Sequence, residues 1–138
     1  MKHLFIPPPS LSFVGAIVAC FRKYVVFSGR ASRSEFWYFI LFDIIFCQLV
    51  ILYDYIMGTF WSWLIPLVTL LPALAVTTRR LHDTNRTGWW QLLPIASGIP
   101  FVLWGWVWRW SLLLLPVSIL VIWFWCAQKG DQHANSYD

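Results

Sequence analysis

Charge is scarce in this chain. Asp, Glu, Lys and Arg make up 12% of its 138 residues, about half of the roughly 25% usual in a soluble domain. Cysteine is scarce too: Cys20, Cys47 and Cys126 are an odd three, each inside an apolar stretch. Neither a disulfide framework nor a paired metal-ligand spacing follows from them. Glycine-rich phosphate loops, nucleophile elbows and helix-borne metal motifs are missing as well. Catalysis therefore has no visible centre, and no metal or other cofactor is expected.

What abounds is apolar. The chain is 59% hydrophobic and 20% aromatic, with eleven tryptophans and a mean hydropathy of +0.65. That composition belongs to an integral membrane protein. The formal charge is +4 and the pI near 9.2, which in a soluble protein would bring nucleic acid into view. Here the basic residues flank apolar segments, as cationic loops beside membrane spans do, so no nucleic-acid partner is expected.

Four stretches approach the roughly 20 apolar residues that a span requires: Phe36 to Met57, Phe60 to Val76, Trp89 to Trp108 and Trp110 to Cys126. Arg109 alone separates the last two, which form either a tight hairpin or a broken, re-entrant piece. Lys2, Arg22, Lys23, Arg30 and Arg33 precede the first stretch, Arg79, Arg80 and Arg86 follow the second, and Lys129 follows the fourth. Four spans with both termini in the cytoplasm place all of these inside and only Arg109 outside, as the positive-inside bias requires. Three spans would send the tail to the other side.

Leu11 to Tyr24 reads as a short helix lying at the interface, with Arg22 and Lys23 near the headgroups; Pro7, Pro8 and Pro9 interrupt any signal-peptide reading. Ser32 to Glu35, "SRSE", has the spacing of a capping box and predicts that the first long helix starts there. Pro66, Pro72, Pro94, Pro100 and Pro116 punctuate the later spans. Each proline removes a donor and frees a carbonyl that lipid cannot satisfy, so neighbouring helices must supply partners.

Charge is densest in "RRLHDTNRTGWW", Arg79 to Trp90, where three arginines, a histidine and an aspartate fall within eight positions. Arg80 and Asp83 are spaced to pair on a helix, and Arg79, Asp83 and Arg86 share a face if the helix continues past the membrane surface. A second basic group, "GRASRSEFW", lies on the same predicted side. In an antiparallel hairpin, Glu35 and Asp83 would interlock with Arg30, Arg33, Arg79 and Arg80. The expected polar cap comprises Arg30, Arg33, Glu35, Arg79, Arg80, His82, Asp83, Arg86, Trp89 and Asn135. Two uses compete: an internal salt-bridge clasp, and a site where guanidinium forks grip the phosphate of an anionic lipid while tryptophans fix its depth. His82 and Asp83 alone lack the further ligands of a metal site. Inside the membrane the candidates are Asp43 and Gln91. A lone carboxylate at that depth marks either function or a specific partner, for which Thr77, Thr78, Gln91, Arg79 and Arg80 are the candidates.

These motifs carry a resemblance. "GRASRSEFW", "RRLHDTNRTGWW" and the tail "KGDQHANSYD" look like the three signatures of the domain of unknown function 805 family of small bacterial inner-membrane proteins, from about Tyr24 to the C-terminus. The resemblance implies a helical bundle with its polar motifs at the cytoplasmic face, and no established activity. It picks out Gly29, Arg30, Arg33, Glu35, Phe36 and Trp37, then Arg79 to Asp83, Arg86, Gly88 and Trp89, and finally Gly130, Asn135 and Tyr137. Asp131 and Ser136 depart from the family's tail, and the stretch between "GWW" and the tail is longer than usual.

The expected fold is all-α: a polytopic transmembrane bundle of about four spans, with an interfacial N-terminal helix in residues 1–31, the bundle in 32–126 and a cytoplasmic tail in 127–138. The expected function is a non-enzymatic inner-membrane binding or scaffold module whose cap engages anionic lipid or a partner protein, self-association included. The alternative is a small transporter or channel subunit using Asp43 and the proline-broken spans.

Overall fold

A computed structural model describes residues 8–97, 111–131 and 137. The described residues contain helices and no strand. The helices are α1 (Phe13–Arg22), α2 (Arg33–Met57), α3 (Ile65–Asp83), α4 (92–97) and α5 (Ser111–Ala127), with 3-10 turns at Trp61–Trp63 and Gly88–Gln91. By length and composition, α2 and the Trp61–Asp83 stretch are each able to cross a membrane. The third expected span falls largely outside the described residues, as does Arg109; the fourth corresponds to α5.

Local chemistry sets the helix ends. Ser12 caps α1, its hydroxyl accepting from the Gly15 amide at 3.2 Å. Ser32 caps α2 by accepting from the Glu35 amide at 3.2 Å. Only half of the expected capping box forms, because the Glu35 side chain turns to α3 instead. At the far end of α2, Gly58 adopts the left-handed conformation (φ 66°) that glycine takes without penalty. Asp54, one turn earlier, organises this turn: its carboxylate accepts from the Thr59 hydroxyl at 2.5 Å and the Ser62 amide at 2.6 Å. Phe60, Trp61 and Trp63 are exposed around it, as aromatic side chains are at a membrane–water boundary.

Pro72 lies inside α3, where the missing amide leaves the carbonyl four residues earlier without its helical partner. That carbonyl belongs to Val68, and the Tyr24 hydroxyl donates to it at 2.5 Å. The expectation that neighbouring segments satisfy the backbone freed by proline is met here by the chain between α1 and α2.

The core lies at one end of the molecule. Cys20, Ala31, Phe36, Phe39, Val76, Leu81, Ile122 and Cys126 form it, with Trp37, Trp123 and Trp125 packed against it. Contributions thus come from α1, the start of α2, and the ends of α3 and α5. Phe21 meets Phe39 and Phe42 edge-on, and Trp37 meets Trp123 at 5.8 Å between centroids. Towards the other end α2 and α3 spread apolar side chains outward, among them Leu49, Ile56, Leu64 and Leu67.

Candidate functional site: a buried arginine cap

The closed end of the bundle carries the charges. Arg79, in the last turns of α3, donates from Nη1 to Glu35 Oε1 of α2 at 2.7 Å, and its Nε reaches the Ala75 carbonyl at 3.3 Å. The two side chains of this pair retain 1% and 4% of their exposure. Nη2 of Arg79 is buried without a hydrogen-bonded oxygen or nitrogen among the described residues; the Cys20 thiol of α1 lies against this guanidinium. Burial, reinforced by Glu35, pushes that thiol up to about 12, so Cys20 stays protonated and inert at neutral pH.

Asp83 is the hub of the second half. Its carboxylate accepts from Arg30 Nε at 2.8 Å and Nη2 at 2.7 Å and from Arg80 Nη1 one turn away. Arg80 spends its remaining donors on the backbone: the Cys126 carbonyl at 2.8 Å, the Ala31 carbonyl at 3.2 Å and the Gln128 carbonyl. Arg30 also donates to the Asp131 carbonyl. The Asp131 amide in turn donates to the Asp83 carbonyl at 2.7 Å, and the Ala31 amide donates to the Arg79 carbonyl at 3.1 Å. Gly130 packs so closely on the Asp83 carboxylate that a Cβ would collide with it. Three segments far apart in sequence are thereby pinned together, and the paired geometry supplies the attraction that offsets the desolvation of their charges.

The expected cap forms in part. Arg30, Glu35, Arg79, Arg80 and Asp83 come together as anticipated. Arg86 does not share the helical face expected for it, because α3 stops at Asp83 and Asn85 turns left-handed (φ 54°). Its guanidinium instead stacks 4.5 Å over the Trp125 ring and donates to Gln128 Oε1 at 2.9 Å. Arg33 is exposed and makes no ion pair among the described residues. Trp89 is exposed as well and stands outside the ion network, against a separate, largely apolar pocket of about 500 Å³ that His82 and Tyr137 also line. His82 stacks flat on Tyr137, 3.9 Å between centroids, beside the Gly29 carbonyl. Asn135 lies outside the described residues.

The intramembrane expectations need correction. Asp43 meets none of its candidate partners; among the described residues its hydrogen-bond partner is the Cys47 thiol at 3.9 Å. The reason is depth. Eight residues separate Asp43 from Glu35, about 12 Å of helix, whereas Thr77 and Thr78 lie next to Arg79, the partner of Glu35. Those hydroxyls bond back to the Ala73 and Leu74 carbonyls at 2.7 and 2.9 Å, and Gln91 donates to Thr78 Oγ1 at 2.5 Å. The sequence reading also missed what the arginines chiefly hold. Backbone carbonyls of Ala31, Cys126, Gln128 and Asp131 have no signature in residue identity, and only the arginine-rich, acid-poor balance pointed to unnamed acceptors.

Beside the ion network opens a polar cleft of about 680 Å³. Ser32, Ser34, Arg33, Arg80 and Lys129 are among its lining residues, together with the acids Asp83 and Asp131. Lys129, like Arg33, is exposed and makes no ion pair among the described residues.

The profile of the family described as "Protein of unknown function (DUF805)" matches residues 24–138. The chain belongs to that family. It is 43% identical over 86 residues to the inner membrane protein YhaI of Escherichia coli (strain K12), covering 60% of this chain and 70% of the relative. It is 41% identical over 92 residues to the inner membrane protein YhaH of the same strain, covering 60% and 72%. No solved structure gives a significant match. The protein is therefore a membrane protein of a family without an assigned activity, and the matched residues include those that build the arginine cap.

Proposed function

We propose that this protein is a non-enzymatic binding module of the bacterial inner membrane, with four spans and both termini in the cytoplasm, whose cap recognises an anionic lipid headgroup. The cap divides its basic residues between two jobs. Arg30, Arg79 and Arg80 hold the scaffold by donating to Asp83, Glu35 and backbone carbonyls. Arg33 and Lys129 line a polar cleft, where they make no ion pair among the described residues although Asp83 and Asp131 line it too. That cleft carries the reading: two unpaired cations beside Ser10, Ser32 and Ser34 supply the charge and hydroxyl donors that a phosphodiester requires, and Arg22 and Lys23, exposed at the end of α1, extend the basic surface.

Native mass spectrometry of protein released from phosphatidylglycerol-containing membranes tests this. At roughly 1 kcal/mol for each basic residue near an anionic surface, the double substitution Arg33→Gln with Lys129→Gln is expected to lower retention of anionic lipid about 30-fold. Retention equal to that of the parent would refute the reading. Transport through Asp43 has less support, since its described contact is a cysteine of its own helix.

A further inference from the structure

Gln48 lies well inside the apolar run of α2, some 22 Å from Arg33 by the helical rise. Its side chain is exposed and makes no hydrogen bond among the described residues. Within hydrocarbon an amide in that state has no water to turn to, and the loss of its donors and acceptor is costly. The surrounding face makes the position more specific. Leu41 and Tyr55 lie seven residues to either side, and Ile44 and Ile51 fall three residues after Leu41 and Gln48. All four are exposed, by 48%, 86%, 46% and 51% respectively. Leu41, Ile44, Gln48, Ile51 and Tyr55 thus follow alternating three- and four-residue steps along one stripe of a broadly exposed helix, the spacing that the seam of a two-helix coil uses, with a single polar residue in the middle.

We propose that this stripe is the contact surface for a second copy of the same chain, paired in parallel through Gln48. The amide itself selects the occupant. It carries both a donor and an acceptor, so it is complementary to another amide, and acyl chains offer it neither. Copies inserted with the same orientation bring Gln48 to the same depth, where two amides on a two-fold axis can each donate to the other. The ion pairs and arginine cap lie at the other end of α2 and remain intact on this face, so pairing adds to the fold without rearranging it. The inference requires that α2 cross the membrane and is independent of what the cap binds.

Energy transfer between donor- and acceptor-tagged full-length copies in phosphatidylcholine–phosphatidylglycerol vesicles, followed over a range of protein-to-lipid ratios, reads the pairing. Parent and Gln48→Asn are expected to associate, while Gln48→Leu requires a protein density about 3- to 30-fold higher, the range spanned by hydrogen bonds between membrane helices. Because leucine at an exposed site leaves the core untouched, near-ultraviolet circular dichroism of the variant should match the parent. A Tyr55→Cys variant should form an intermolecular disulfide that Val50→Cys, on the opposite side of α2, does not form beyond the level of the native cysteines. Association unchanged in Gln48→Leu, a parent that stays monomeric at every density, or equal trapping at both cysteine sites would each overturn the proposal.

Discussion

Arg79 and Glu35 lose nearly all contact with solvent, and among the described residues each has only the other as its ion-pair partner, at 2.7 Å. Removing one member of such a pair leaves an uncompensated buried charge, a loss of about 3–5 kcal/mol, whereas replacing both with apolar side chains of similar volume is often close to neutral. Glu35→Leu and Arg79→Met are each expected to lower thermal stability steeply in detergent, and the double variant to regain most of it. A double variant as unstable as the sum of the single ones would show that the two charges do not compensate each other. Arg80 behaves differently, because four of its acceptors lie on three separate segments: Asp83, Ala31, Cys126 and Gln128. A lysine there would keep the charge and lose the fork, so Arg80 holds geometry that a point cation cannot.

At the scale of helices, α3 is the element most dependent on others. Pro72 deprives the Val68 carbonyl of its partner, and Tyr24 replaces it from outside the helix. Tyr24→Phe is expected to cost about 1–3 kcal/mol by leaving that carbonyl unsatisfied. In a Pro72→Ala background, where the helix can close its own bond, the cost of losing the hydroxyl should largely vanish. A thermal double-mutant cycle measures the coupling, and equal costs in both backgrounds would separate tyrosine from proline. The proline signalled the need from sequence, since any proline inside a span frees a carbonyl; the supplier stayed hidden because Tyr24 is distant in sequence and unremarkable in type. The start of α2 was legible for a similar local reason, Ser32 being a capping residue directly before an apolar run. Arg86 was not, because one left-handed residue, Asn85, ended the helix that would have carried it to the expected face. The pairing of Arg80 with Asp83 could be read from a spacing of three, while the partners of Arg30 and Arg79 required knowing which helices meet.

On the scale of the whole chain, the cap constrains how many times the polypeptide crosses the membrane. Arg30 touches Asp83, so the segment between them must return to the side from which it left, which in the proposed topology α2 and α3 accomplish as one outward and one inward crossing. The Asp131 amide touches the Asp83 carbonyl, so the segment from Thr84 to Gln128 must also return. An odd number of crossings there would carry the tail to the opposite surface and tear it from Arg80 and Asp83, so the four spans proposed above fit this contact, as would a re-entrant piece, and three spans do not. The exposed aromatic side chains of Phe60, Trp61 and Trp63 mark the far surface, and no lysine or arginine lies between Arg33 and Arg79. Alkaline phosphatase fused after Gly58 is therefore expected to be active, and the same reporter fused after Asp138 inactive. Fusions to green fluorescent protein should give the reverse pattern, fluorescent after Asp138 and dark after Gly58. Both sites reporting from one side would mean that α2 does not cross, and then the buried ion pairs would be holding together a molecule that lies on the membrane instead of within it.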